Sequence, residues 1–170
     1  MTPRGELTVK DLPVRKSNRL KDYNYSQAGC YFITICVKDR QELLGRVVGD
    51  AAFGVPSVEL TATGEIVKRR IERINQTSNR RVDKFVIMPN HVHMLLALSD
   101  GTPRAASPTK AVIPQTINAF KSLTTKECGF SIWQRSFHDH IIRDEAEYQR
   151  IWQYIDENPQ RWNEDCYYTD

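Results

Sequence analysis

Met88-Pro89-Asn90-His91-Val92-His93-Met94-Leu95 places two histidines on either side of one aliphatic residue inside an apolar run. In a strand, side chains alternate between faces, so both imidazoles share one face with Leu95 and Ala97, while Val92, Met94, Leu96 and Leu98 point to the other. The second set reads as core. Two imidazoles side by side on a rigid strand can hold a divalent metal; equally, they can be a chance pair of structural or surface histidines. The spacing alone does not choose between the two.

The neighbouring sequence fixes the frame in which the pair sits. Val82 to Met88 and His91 to Leu98 read as two strands joined tightly at Pro89-Asn90, a turn-favouring pair, with the histidines at the mouth of the hairpin. Upstream, Tyr31 to Val37 is apolar on both faces and β-branched, as a covered central strand would be. Leu43 to Val48 and Ser57 to Leu60 suit a short hairpin. A helix follows, capped by Thr61 or Thr63, with Ile66, Val67, Ile71 and Ile74 on one side and Lys68, Arg69 and Arg73 on a solvated basic face. Residues 99 to 109 are a loop by composition. A second helix has Pro114 in its first turn and Ile113, Ile117, Phe120 and Leu123 at helical spacing. A strand from about Ser136 to Arg143 precedes a third helix, capped by Asp144, with Tyr148, Ile151, Trp152 and Ile155 as its apolar stripe. Asn158 before Pro159 ends that helix. The order β, α, β, β, α, β plus one appended helix predicts a ferredoxin-like α+β sandwich: an antiparallel sheet with helices on one face.

At 170 residues the chain is expected to form one domain, residues 29–170, behind a basic and mostly irregular arm, residues 1–28, tied down at its end. The net charge of +3 is uneven, because Arg15, Lys16, Arg19 and Lys21 cluster near the start and Lys68, Arg69, Arg70 and Arg73 share one helix. This suits a polyanion partner without requiring one. Cys30, Cys36, Cys128 and Cys166 show no CxxC spacing, and there is neither an apolar leader nor an 18-residue apolar span. The expectation is a cytoplasmic protein with free thiols and no membrane contact.

The last helix carries what the histidine pair lacks. Tyr154 falls about 60° from Ile151 at the border of the apolar stripe, and Asn158, four residues on, lies on the same side. If that edge covers the His91/His93 face, Asn158 becomes a third ligand and Tyr154 a nucleophile beside the metal. A phenol with a pKa near 10 needs a polarised substrate, and a divalent ion with open positions can bind the oxygens of a phosphodiester. Imidazole mixed with hard oxygen points to Mg²⁺ or Mn²⁺, although such a site also accepts Zn²⁺.

Met88 to Leu95, followed by Trp133-Gln134, Asp139-His140-Ile141-Ile142-Arg143 and Tyr154-Ile155 with Asn158-Pro159, resembles the single-tyrosine HUH transposases, and most of all the REP-associated tyrosine transposases of bacteria. Arg19 to Tyr23 and the strand at Tyr31 fit as well, so the resemblance runs from about residue 15 to about 162. It implies a single-stranded DNA endonuclease and strand transferase acting at hairpin-forming repeats, nucleoid-associated when acting. By position it implies that His91, His93 and Asn158 are metal ligands, and that Tyr154 forms a 5′-phosphotyrosine bond and frees a 3′-OH. Phe120-Lys121-Ser122 resembles a family helix motif, which makes Lys121 a phosphate contact. Arg15, Lys16, Arg19, Lys21, Arg135 and Arg143 are further candidate DNA contacts. Insertion-sequence members usually carry glutamine at the Asn158 position, so this chain departs toward the REP-associated branch. The sequence ends soon after Trp162, which leaves no long DNA-reading tail. Both monomeric and dimeric relatives exist, so either state is compatible.

The second pair, His138-Asp139-His140, places its acidic residue on the face that Val92 occupies in the first. His140 is therefore expected to support the site or contact DNA, and a rival metal site is the weaker reading. A relaxase or rolling-circle initiator would usually be longer, and a barrel metallohydrolase needs about 250 residues. The alternative from another class is a catalytically silent protein that binds DNA or RNA hairpins.

Overall fold

β-Branched and aromatic residues run almost unbroken through Gly29–Cys36, which forms β1, and Tyr31, Ile33 and Ile35 are fully buried in it. The computed structural model describes residues 24–25, 27–49, 54–76, 79–99 and 111–168. The basic cluster Arg15, Lys16, Arg19 and Lys21 and nearly all of the 99 to 109 loop lie outside those residues. Tyr25 is buried, and its carbonyl accepts from the Ile113 N–H at 3.3 Å.

Beyond β1 come β2 (Gly45–Val48), β3 (Ser57–Leu60), α1 (Ala62–Ile74), β4 (Arg80–Met88), β5 (His91–Leu98), α2 (Val112–Cys128), β6 (His138–Ile142) and α3 (Glu145–Glu157). β2 and β3 pair as the short hairpin. The other four strands make one antiparallel sheet in the order β4-β5-β1-β6. This is the ferredoxin-like arrangement, with α1 and α2 on one face. Val67, Ile71 and Ile74 of α1 and Ile113, Ile117 and Phe120 of α2 close the core over Ile33, Ile35, Met94 and Leu96. Arg69, read as part of a solvated face, and its neighbour Arg70 both bond Glu127 of α2 at 2.9 and 2.7 Å and so clip the two helices together.

Local signals set the helix ends. Thr61 caps α1, its hydroxyl accepting from the Gly64 N–H at 3.1 Å. Asp144 caps α3 by accepting from the Glu147 N–H at 2.8 Å. α2 ends at Gly129, whose φ of 81° favours glycine and whose N–H bonds the Thr125 carbonyl.

Two expectations shift. Leu123 is 45 % exposed, and fully buried Thr124 takes its place in the α2 stripe, because its hydroxyl bonds the Phe120 carbonyl and receives the Trp133 indole N–H at 2.7 Å. The strand expected from Ser136 begins only at His138, because the Gln134 and Ser136 carbonyls accept from the Lys121 amine at 2.7 and 2.8 Å.

α3 packs on the sheet face opposite α1 and α2. Lys84, on the histidine side of β4, pairs with Asp156 and lies 4.9 Å from the centroid of the Trp152 ring, while Tyr148 donates to Asp83 at 3.1 Å. No described helix is long and apolar enough to cross a membrane.

Candidate active site

His91 and His93 project from β5 toward α3, their ring centroids 4.4 Å apart and their residues 0 % and 2 % exposed. Each ring is oriented through its Nδ1. Asn90 donates its amide N–H to the Tyr167 carbonyl at 2.7 Å and the Arg40 carbonyl at 3.3 Å, which turns its Oδ1 toward His91 Nδ1 at 2.9 Å. Nδ1 therefore carries the proton, and Nε2 presents its lone pair. His93 Nδ1 meets Thr34 Oγ1 at 2.8 Å, and with the proton on Nδ1 its Nε2 accepts from the Tyr154 hydroxyl at 3.3 Å. Such outer partners fix tautomer and ring angle for a metal ligand.

Tyr154 is 37 % exposed and approaches from the edge of α3, as helical spacing predicts, with the Phe32 ring set edge-on to it at a centroid separation of 6.0 Å. Asn158, one turn on and 2 % exposed, is buried beside it, so the edge of the last helix does cover the histidine face within a single chain. After Asn158 a 3-10 segment, Asn158–Glu164, packs against β3 and β4. Trp162 and Tyr167 then cover His91, with ring centroids at 6.0 and 4.6 Å. Asp165 comes with them: its Oδ2 lies 4.0 Å from His91 Nε2 and 3.4 Å from Asn158 Nδ2.

Burial governs the protonation of the group. It pulls His91 down to about 4 against a partial upward pull from Asp165, and holds His93 well below the usual imidazole range, with His91 adding to the effect. Both rings are neutral at pH 7, the form that binds metals. The Tyr154 phenol is raised, first by burial and then by Asp165, against a lowering contact from Asn158. Among the described residues, His91 Nε2 and Asn158 Oδ1 are buried without a hydrogen-bond partner. Unpaired lone pairs in a buried pocket are what a bound cation would satisfy.

The other candidates lie apart. Lys121 directs its ammonium at the carbonyls of Gln134, Ser136 and, at 3.5 Å, Arg135. Burial lowers it to about 8, so it remains charged at pH 7 with all three N–H groups engaged. Lys121, expected as a phosphate contact, braces the 134–136 segment in this structure. Arg135 is exposed and lines a groove of about 580 Å³ with Lys38, Ser131 and Gln134. His140 lies on the same sheet face as His93, paired with Phe32 on the edge strand, but its Nε2 contacts Glu147 at 2.7 Å. Arg143 is exposed, and its backbone N–H also bonds Glu147. Sequence reasoning missed Thr34, Asp165 and Tyr167; only Asn90, inside the opening motif, carried a signal.

Sheet, buried imidazole pair and helix-borne phenol together define an α+β protein built around a candidate metal and nucleophile site. The chain belongs to the "Transposase IS200 like" family, whose model matches residues 27–158. An uncharacterized protein of Haemophilus influenzae is 34 % identical over 92 % of this chain and 94 % of its own length. A REP-associated tyrosine transposase of Escherichia coli is 24 % identical over 79 % of this chain and 68 % of that protein. Among solved structures, a REP-associated tyrosine transposase bound to a REP hairpin superposes with a TM-score of 0.61 at 23 % identity, covering 85 % of this chain and 73 % of that one, which supports the fold. The chain is thus a transposase by family.

Proposed function

We propose that this transposase is a metal-dependent single-stranded DNA endonuclease and strand transferase that cleaves at hairpin-forming repeats through Tyr154. One observation carries the reading: the Tyr154 hydroxyl stands 3.3 Å from His93 Nε2, beside two buried lone pairs, His91 Nε2 and Asn158 Oδ1, that have no partner among the described residues. His91, His93 and Asn158 would hold the ion. A bound Mg²⁺ or Mn²⁺ would supply charge neutralisation for a phosphodiester and its transition state.

The chain's own groups do the rest. Tyr154 sits on a rigid helix, so its phenol oxygen is positioned for attack on phosphorus. The new O–P bond forms as the bond from phosphorus to the 3′ oxygen breaks; the phenol loses a proton and the departing 3′ oxygen gains one. The DNA 5′ end stays on Tyr154, and the free 3′-OH is available for strand transfer. Arg135 and Arg143 are exposed cations for phosphates, His140 contacts DNA from the edge strand, and Lys121 acts through the 134–136 segment it braces. The basic arm, Arg15, Lys16, Arg19 and Lys21, would add sequence-independent affinity. The enzyme would act in the cytoplasm at the nucleoid. The hairpin partner is supported by the REP hairpin in the solved relative.

Incubation with single-stranded hairpin oligonucleotides and Mn²⁺ or Mg²⁺ should yield a covalent protein–DNA adduct. Tyr154→Phe should lower its yield at least a thousandfold and leave hairpin affinity within about twofold. A second reading, the catalytically silent hairpin binder, draws on the covering of both imidazoles by Trp162 and Tyr167. Hairpin binding with no adduct, in protein that binds metal normally, would favour that reading and remove the nuclease.

A further inference from the structure

The 3-10 segment and the residues after it bring into the pocket a group that the helix-borne site does not include. Asp165 has a side chain only 4 % exposed, yet among the described residues no lysine or arginine lies within ion-pair distance of it. Its Oδ1 accepts the Tyr167 N–H at 2.7 Å, its Oδ2 lies 3.4 Å from Asn158 Nδ2, and the neutral Cys166 thiol is its other side-chain partner, so none of these contacts brings a positive charge. Taking a carboxylate out of water is unfavourable by several kcal/mol unless a counter-charge is near. His91 Nε2 lies 4.0 Å from it, too far for a hydrogen bond.

Ligand atoms of His91, His93 and Asp165 all lie within 4.8 Å of one another. An ion holding nitrogen and oxygen donors at about 2.1 Å separates adjacent ligands by about 3.0 Å and opposed ones by about 4.2 Å. The 4.0 Å between Asp165 Oδ2 and His91 Nε2 falls in that span. We propose that Asp165 is a further ligand of the ion held by His91 and His93, so that the segment after Asn158 belongs to the metal site and is not merely its cover. This rests on the metal-site reading above. An anionic oxygen added to two imidazoles shifts the preference toward hard ions such as Mn²⁺ and Mg²⁺. It also ties metal occupancy to the seating of Tyr167, whose N–H and carbonyl hold Asp165 and Asn90 in place.

Calorimetric and EPR titration of the full chain with Mn²⁺ tests this. Asp165→Asn, nearly isosteric, should weaken Mn²⁺ binding at least tenfold, and affinity within twofold of the parent would overturn the assignment. A second measurement needs no substitution: with carboxyl-¹³C aspartate incorporated, Mn²⁺ ENDOR should show a ¹³C coupling from a directly bound carboxylate, and its absence would overturn the proposal even if Asp165→Asn fails to fold. The double variant His91→Ala/His93→Ala separates the two readings. Loss of binding there with Asp165→Asn unaffected removes Asp165 alone, whereas retained binding in the double variant removes the metal site itself.

Discussion

Two neutral imidazoles sealed from water make the folded chain sensitive to acid in a defined direction. His91 takes a proton near pH 4 in the folded chain and near 6.5 when unfolded, because burial disfavours the imidazolium. The unfolded state therefore binds protons first as pH falls, and the stability that neutrality contributes is lost from about 6.5 down to about 4. His93, shifted in the same direction, adds to the slope. The unfolding free energy of the metal-free protein, from urea titrations, should fall across that window by up to roughly 1.4 kcal/mol per pH unit for each shifted ring. His91→Asn/His93→Asn should flatten the slope; an unchanged slope would mean that other groups, such as carboxylates, set the acid sensitivity.

Helices transmit sequence period faithfully, and that decided which parts of the site were legible. Tyr154 and Asn158 were placed on one edge because four residues make little more than one helical turn, and β5 alternation put both histidines on one face. Asp165 follows the break at Asn158-Pro159, where irregular backbone carries no period, and its position depends on Tyr167 and Asn158. The bracing by Lys121 was not legible for a related reason: its stem is long, and the carbonyls that hold its amine belong to the irregular run Gln134 to Ser136. Leu123 yielded to Thr124 because a buried indole N–H needed an acceptor. Tight packing at this scale has its own test. A Cβ on Gly64 would stand 1.9 Å from the Leu44 carbonyl oxygen, which is fixed by the Thr61 N–H at 3.0 Å. Gly64→Ala should therefore displace α1 from the β2 approach and cost about 1–3 kcal/mol or more in urea denaturation, despite alanine's better helix propensity. A stabilised Gly64→Ala protein would contradict this account of the α1 docking.

Across the whole molecule, the sheet divides its two faces between stability and chemistry. The α1/α2 side holds the apolar core, and the α3 side holds the imidazoles, the phenol and the carboxylate. The hairpin turn at Pro89-Asn90 joins the two: the Pro89 carbonyl accepts the Leu44 N–H at 2.9 Å, and the Asn90 carbonyl accepts the Val37 N–H at 2.8 Å. In native-state hydrogen exchange these two amides should open only with global unfolding. The Tyr167 and Tyr168 amides, bonded only to Asp165, should exchange by local release at much lower free energy, and faster still after Asp165→Asn. Equal protection of both sets would mean that the chain after Asn158 is as firmly part of the cooperative unit as β5. The turn that aims the imidazoles is bonded to the backbone at Val37 and Leu44, so exchange kinetics at those two amides would report whether a substitution in the site has disturbed the fold or only its chemistry.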